Sequence, residues 1–170
     1  MQLTSFPPQA LGHEDILRRI PHQGSMCLLD SVSAWDQQQI FCESASHLSA
    51  SNPLRAHGRL GAACGIEYAA QAMAIHGALV AQSPLPAGGE PAGSPRGGYL
   101  VSVRGVTLHV EWLDDLKTAL AIHASRVMGD ENTIVYEFTI HAGPLPVLSG
   151  RAVVMLAAPA ATTCTTWSSP

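Results

Sequence analysis

The stretch Gly61–Ala81 constrains the fold more than any other part of the chain. It is a run of Ala, Gly and aliphatic residues in which Glu67 is the single charged side chain. Its length suits a membrane span, which needs about 20 apolar residues. Glu67, Tyr68, Gln71 and His76 interrupt it, however, and the run reads as the buried helix of a soluble protein. A helix apolar on nearly every side must be covered on nearly every side.

The rest of the chain supplies the cover. Met26–Ser33 and Gln39–Ser46 read as strands around a polar turn at Asp36–Gln38. After the helix, Tyr99–Trp112, Ala119–Met128, Thr133–Ala142 and Leu148–Leu156 read as four more. The third alternates, with Ile134, Tyr136, Phe138 and Ile140 on one face and Val135, Glu137, Thr139 and His141 on the other. This is the period of a half-buried strand. Short connections imply antiparallel neighbours. His13–Ile20 reads as a short helix stopped by Pro21. The expected architecture is α+β, one curved antiparallel sheet wrapped around one long helix, with a second subunit closing what the sheet leaves open.

Length favours one domain, taken as 13–157, because 170 residues fall within the usual single-domain range. Residues 1–12, 83–98 and 158–170 are rich in Pro, Gly, Ser or Thr and read as tails and an internal flexible loop. The N-terminus lacks a basic start followed by an apolar run, so no secretory signal is expected. Cys27, Cys42, Cys64 and Cys164 form no CxxC pair. Free thiols in a cytoplasmic protein are expected, with no metal site. The formal net charge is −4, and Lys117 is the single lysine. That balance argues against nucleic acid, which demands many phosphate contacts.

Glu67 is the chemical focus. A carboxylate on an apolar helix is costly unless it is paired or neutralised, and acid–base sites exploit that setting. Gln71 follows one turn later on the same face and is placed to hydrogen-bond it. A subunit-interface ion pair with an arginine is the competing structural explanation. Of the eight histidines, His47 and His57 lie in the polar approach to the helix, where an imidazole would form an acid–base pair with Glu67. His22 follows a proline and reads as a turn anchor. His76, toward the far end of the helix, reads as structural.

Two runs carry a family resemblance. Ile20-Pro-His-Gln-Gly-Ser-Met-Cys-Leu-Leu-Asp30 resembles the opening signature of the hotdog-fold β-hydroxyacyl-(acyl carrier protein) dehydratases. Gly65-Ile-Glu-Tyr-Ala-Ala-Gln-Ala-Met-Ala resembles their central helix, where an acid and a following Gln head an apolar stretch. The similarity covers roughly residues 14–156 and is nearest to the predicted dehydratases of aryl-polyene-type biosynthesis clusters. It implies loss of water from a 3-hydroxyacyl thioester, delivered by acyl carrier protein on a phosphopantetheine arm, without metal or redox cofactor.

By the same resemblance the acid maps onto Glu67. The catalytic histidine maps onto His47, at the close of the second strand, or alternatively onto His57. The family's Phe-Pro-Gly loop is absent, and at the family's spacing from the acid this chain has Pro53. Backbone N–H groups near Gly61 and Ala62 would meet the thioester carbonyl, with Gln71 and His22 also contacting substrate. Arg55 and Arg59 would dock the acidic carrier. A homodimer, a heterodimer with a related hotdog subunit, or a higher oligomer is expected. The alternatives are a non-catalytic subunit partnering an active dehydratase, a hotdog acyl thioesterase, and an acyl-binding regulator.

Overall fold

The computed structural model describes residues 10–82, 98–130 and 132–156. Seven strands form one antiparallel sheet in the order β1-β2-β3-β5-β6-β7-β4. They are β1 (Leu11–Gly12), β2 (Ser31–Trp35), β3 (Gln39–Ser44), β4 (Gly98–Leu108), β5 (Leu120–Gly129), β6 (Thr133–Ala142) and β7 (Leu145–Leu156). A short helix α1 (His13–Leu17) follows β1. The long helix α2 (Gly65–Gln82) lies between β3 and β4 in the chain and packs on β3, β4, β5 and β6.

The core is the contact between helix and sheet. Tyr68, Ala69, Ala72, Met73, Ile75 and Leu79 of α2 are buried. They meet Ile40 and Cys42 of β3, Ile122 and Ala124 of β5, and Ile134, Tyr136, Phe138 and Ile140 of β6. The alternation expected along β6 is present residue by residue. The helix starts so close to β7 that a Cβ on Gly65 would lie 2.1 Å from Leu148 Cδ2. A methyl group there would have to push the Leu148 side chain aside, which overpacks the core.

Several boundaries differ from expectation for local reasons. Met26–Ser33 is not one strand. Gly24–Met26 is a 3₁₀ turn, and Leu28 and Leu29 are both fully buried, which strict strand alternation forbids. The backbone groups of Leu28 go to side chains instead: its N–H to Gln71 and its C=O to Ser44. The expected helix start at Gly61 is a 3₁₀ turn, Ala62–Cys64, and α2 proper starts at Gly65. Residues 11 and 12, assigned to the tail, pair with Val32 and Ser31. β7 starts earlier than Leu148 because Gly143, at φ +58°, turns the chain tightly after β6. Residues 83–97 and 157–170, including Cys164, lie outside the described residues. Cys27, Cys42 and Cys64 are free thiols. No helix among the described residues is long and apolar enough to cross a membrane.

Candidate active site

Glu67 stands in the first turn of α2, where a negative side chain suits the positive end of the helix dipole. Gln71, one turn on, is fully buried and makes three hydrogen bonds. Its Oε1 accepts the Leu28 N–H at 2.9 Å. Its Nε2 donates to the Met26 carbonyl at 2.8 Å and to Glu67 Oε1 at 3.0 Å. The Leu28 donor and the Met26 acceptor fix which way round the amide lies, so Gln71 faces Glu67 as a donor.

The segment that Gln71 holds also carries His22. Its Nε2 lies 3.2 Å from Glu67 Oε1, with the two side chains 29% and 32% exposed. Its other ring nitrogen, Nδ1, is buried and makes no hydrogen bond. A buried N–H with no acceptor costs about 1–3 kcal/mol. In the neutral ring the proton therefore belongs on Nε2, the nitrogen nearer the carboxylate. Gln23 fixes the approach by donating to the carbonyls of Leu17, the last residue of α1, and of Ile20 beyond it.

His47 occupies a different environment. It sits in a 3₁₀ turn, Ser46–Leu48, and is fully buried. Neither ring nitrogen makes a hydrogen bond of normal geometry. Burial pushes its pKa down, against the nearby Leu116 and Thr118 backbone, which favours the protonated ring. A directed chain of hydrogen bonds holds this turn to the helix. Asn52 Nδ2 donates to Tyr68 Oη, which leaves the tyrosine proton for Ser46 Oγ. Ser46 then donates to Ser44, and Ser44 to the Leu28 carbonyl. The direction follows from its ends, an amide N–H and a carbonyl.

The structure thus brings Glu67, Gln71 and His22 together and leaves the other assigned histidines apart. His57 is exposed at the tip of a tight turn closed by the Ala56–Arg59 bridge, in left-handed backbone at φ +51°. It does not pair with Glu67, and neither does His47. The free backbone donors expected at the helix start need correction at Ala62, whose N–H donates to the Glu111 carbonyl at 2.9 Å. Gly61 forms a bridge with Trp112.

Arg55 and Arg59, expected as docking charges, are engaged within the chain. Both reach Asp114 Oδ2, at 3.2 and 2.9 Å, and Arg59 also pairs with Asp115 and lies over the Trp112 ring. Arg55 also binds the carbonyls of His47, Ser49 and Gly58. These contacts tie the loop before α2 to residues 112–115.

The Ser44–Ser46–Tyr68–Asn52 chain leaves no spacing signal in the sequence. His76 ties α2 to β6 and to the turn between β2 and β3. Its Nε2–H donates to the Asp36 carbonyl at 2.9 Å, and its Nδ1 accepts from Tyr136 Oη at 2.8 Å. Among the described residues no cluster of three or more His, Cys, Asp or Glu side chains is placed to hold a metal ion.

One long helix packed on a seven-stranded antiparallel sheet, with an acid in the helix's first turn, defines a hotdog-fold protein. The chain belongs to the ApeP-like dehydratase family, whose model, described as ApeP dehydratase, matches residues 14–165. No curated protein matches the sequence. Among solved structures it resembles the dehydratase heterocomplex ApeI:P from Xenorhabdus doucetiae, with a TM-score of 0.67 and 20% identity over 91% of this chain and 93% of that one. A thioesterase from Haemophilus influenzae aligns with a TM-score of 0.57 and 10% identity, covering 90% of this chain and 95% of its own. A thioesterase from Pseudomonas aeruginosa aligns at 0.53 and 11%, covering 76% and 81%. At these identities the structural likenesses establish the shared fold.

Proposed function

We propose that this dehydratase removes water from a 3-hydroxyacyl thioester carried on acyl carrier protein, giving the trans-2-enoyl thioester in polyene-type biosynthesis in the cytoplasm. The observation that carries this reading is the setting of Glu67. It is the one charged side chain of α2, held through Oε1 by Gln71 and one-third open to solvent. Among the described residues nothing is bonded to its Oε2, which is available to exchange a proton with substrate. The phosphopantetheine arm brings the acyl group, and the chemistry requires neither metal nor redox cofactor.

The protein works as one subunit of a hotdog assembly. β4 lies at the sheet edge, and Tyr99, Leu100, Val101, Val106 and Leu108 on it are exposed. A long apolar edge strand invites pairing with another chain and is an aggregation hazard when left bare. A related hotdog subunit is the favoured occupant, because the structural neighbour ApeI:P is itself a heterocomplex. A non-catalytic supporting role is the second reading. It is favoured by the sealed position of His47, which keeps that imidazole from the Glu67 carboxylate.

The test is to incubate the chain, alone and co-purified with a related hotdog subunit, with a 3-hydroxyacyl carrier-protein thioester and to follow loss of water by mass spectrometry. Dehydration abolished by Glu67→Gln supports the proposal. Dehydration unaffected by Glu67→Gln in the assembly assigns this chain the supporting role. Release of free acid identifies a thioesterase instead.

A further inference from the structure

We propose that His22 is a positioning residue for the dehydration. Together with Gln71 it occupies Glu67 Oε1, so that Oε2 is the oxygen presented to substrate. The proposal rests on the dehydratase reading of Glu67 and adds a residue that the family resemblance does not place at the acid.

Three observations converge on it. First, two nitrogen groups crowd one carboxylate oxygen: His22 Nε2 at 3.2 Å and Gln71 Nε2 at 3.0 Å, both from Oε1. The Gln71 amide cannot turn over, because its Oε1 takes the Leu28 N–H and its Nε2 meets the Met26 carbonyl. Second, the buried Nδ1 of His22 has no partner, so a neutral ring carries its proton on Nε2, the nitrogen nearer Glu67. Third, His22 and Glu67 are both about one-third open to solvent, whereas His47 is sealed and His57 stands on an exposed turn. At 3.2 Å the pair is within hydrogen-bond distance, but the N–H is not aligned on Oε1. Catalytic contacts are often long without substrate and tighten when it binds.

A carboxylate held at one oxygen has one orientation and one reacting atom. Removing one of its two holders frees rotation about the end of the Glu67 side chain. The loss then falls on the chemical step rather than on thioester binding. Misplacement of a reacting group by about 1 Å costs on the order of 100-fold in rate.

The experiment compares wild type, His22→Ala, His22→Gln and Glu67→Gln in the assembled protein. His22→Ala is expected to lower kcat by about 10- to 100-fold with KM within about twofold, at unchanged melting temperature. His22→Gln returns an N–H donor at similar reach and recovers a large part of kcat. A raised KM at unchanged kcat would instead make His22 a substrate-binding residue and overturn the proposal. Unchanged kinetics, or a fall in melting temperature with no recovery in His22→Gln, overturns it as well. Activity surviving in Glu67→Gln would remove the dehydratase reading itself. A second measurement needs no turnover: ¹⁵N–¹H correlation of the imidazole rings. The Nε2–H tautomer for His22, perturbed by Glu67→Gln, is expected, and an Nδ1–H tautomer would refute the inference.

Discussion

Gln71, in the second turn of α2, accepts the backbone N–H of Leu28, 43 positions earlier in the chain, at 2.9 Å. That bond joins α2 to the segment carrying His22, and both groups are fully buried. Replacing Gln71 with Leu keeps the volume and strands the Leu28 N–H and the Met26 carbonyl. The buried Leu28 N–H costs about 1–3 kcal/mol when unpaired and the part-buried Met26 carbonyl about 1 kcal/mol, so the loss should be roughly 2–4 kcal/mol, read from urea unfolding. A loss below about 0.5 kcal/mol would mean that water satisfies both groups and that the joint is not structural.

Gly65 lets α2 start against β7. Gly65→Ala should destabilise by about 1–3 kcal/mol, the usual cost of overpacking a core. Leu148→Ala removes the side chain that the new methyl group would strike. The double variant should therefore be more stable than the sum of the two single losses predicts. Strict additivity in the double-mutant cycle would exclude the contact as the cause.

Tyr68→Phe deletes the middle of the Asn52–Tyr68–Ser46 chain. The Asn52 amide keeps its bond to the Ser46 carbonyl, so the cost should be modest, about 1–2 kcal/mol. Faster amide exchange should appear at residues 46–52 and not in β6, since the loss is local. Uniform acceleration across the sheet would contradict this.

Burial pushes the pKa values of His47, His76 and His123 down. A histidine with a lowered folded pKa takes its proton more readily when unfolded, so falling pH favours unfolding. The stability contributed by the neutral rings is present above about pH 6.5, the ordinary histidine value, and declines as pH falls below it. A second decline belongs to Asp114. Against the upward push of burial, the Leu60 N–H and Arg59 hold its pKa down to about 2. That contribution is present above about pH 4 and fades as pH falls toward 2. Urea midpoints measured from about pH 8 to 4 should fall in the first window. A flat profile between about pH 7.5 and 5.5 would sink the histidine assignment.

The exposed edge of β4 should be where a second hotdog subunit joins. Leu100→Lys combined with Leu108→Lys places charge on that edge without touching Glu67, Gln71 or His22. The doubly substituted chain should keep its fold by circular dichroism and fail to co-elute with its partner in size-exclusion chromatography. Intact co-elution would move the interface elsewhere.

The sequence by itself determined the helix, the sheet class and the acid. The near-absence of charge over Gly61–Ala81 demands a covered helix. The period-two alternation of Ile134, Tyr136, Phe138 and Ile140 demands a half-buried strand, and β6 shows both faces as read. Glu67 stands out because an isolated carboxylate in an apolar run needs a reason. These features are local, set by helical or strand periodicity within one segment.

Only the tertiary structure decided what meets Glu67. His22 is 45 positions away, and no periodicity relates a residue in a turn after α1 to one on α2. The two histidines of the polar approach to the helix lie apart from Glu67. His47 was drawn under the 113–118 loop, and His57 was carried to a turn tip. Arg55 and Arg59 read as free surface charge until Asp114 and Asp115 were brought across to them. The Ala62 N–H read as free until the Glu111 carbonyl took it. In each case a long-range contact satisfied a polar group whose partner a single segment cannot reveal. The chain must pair its buried polar groups, but which ones pair is settled only when the sheet closes around the helix.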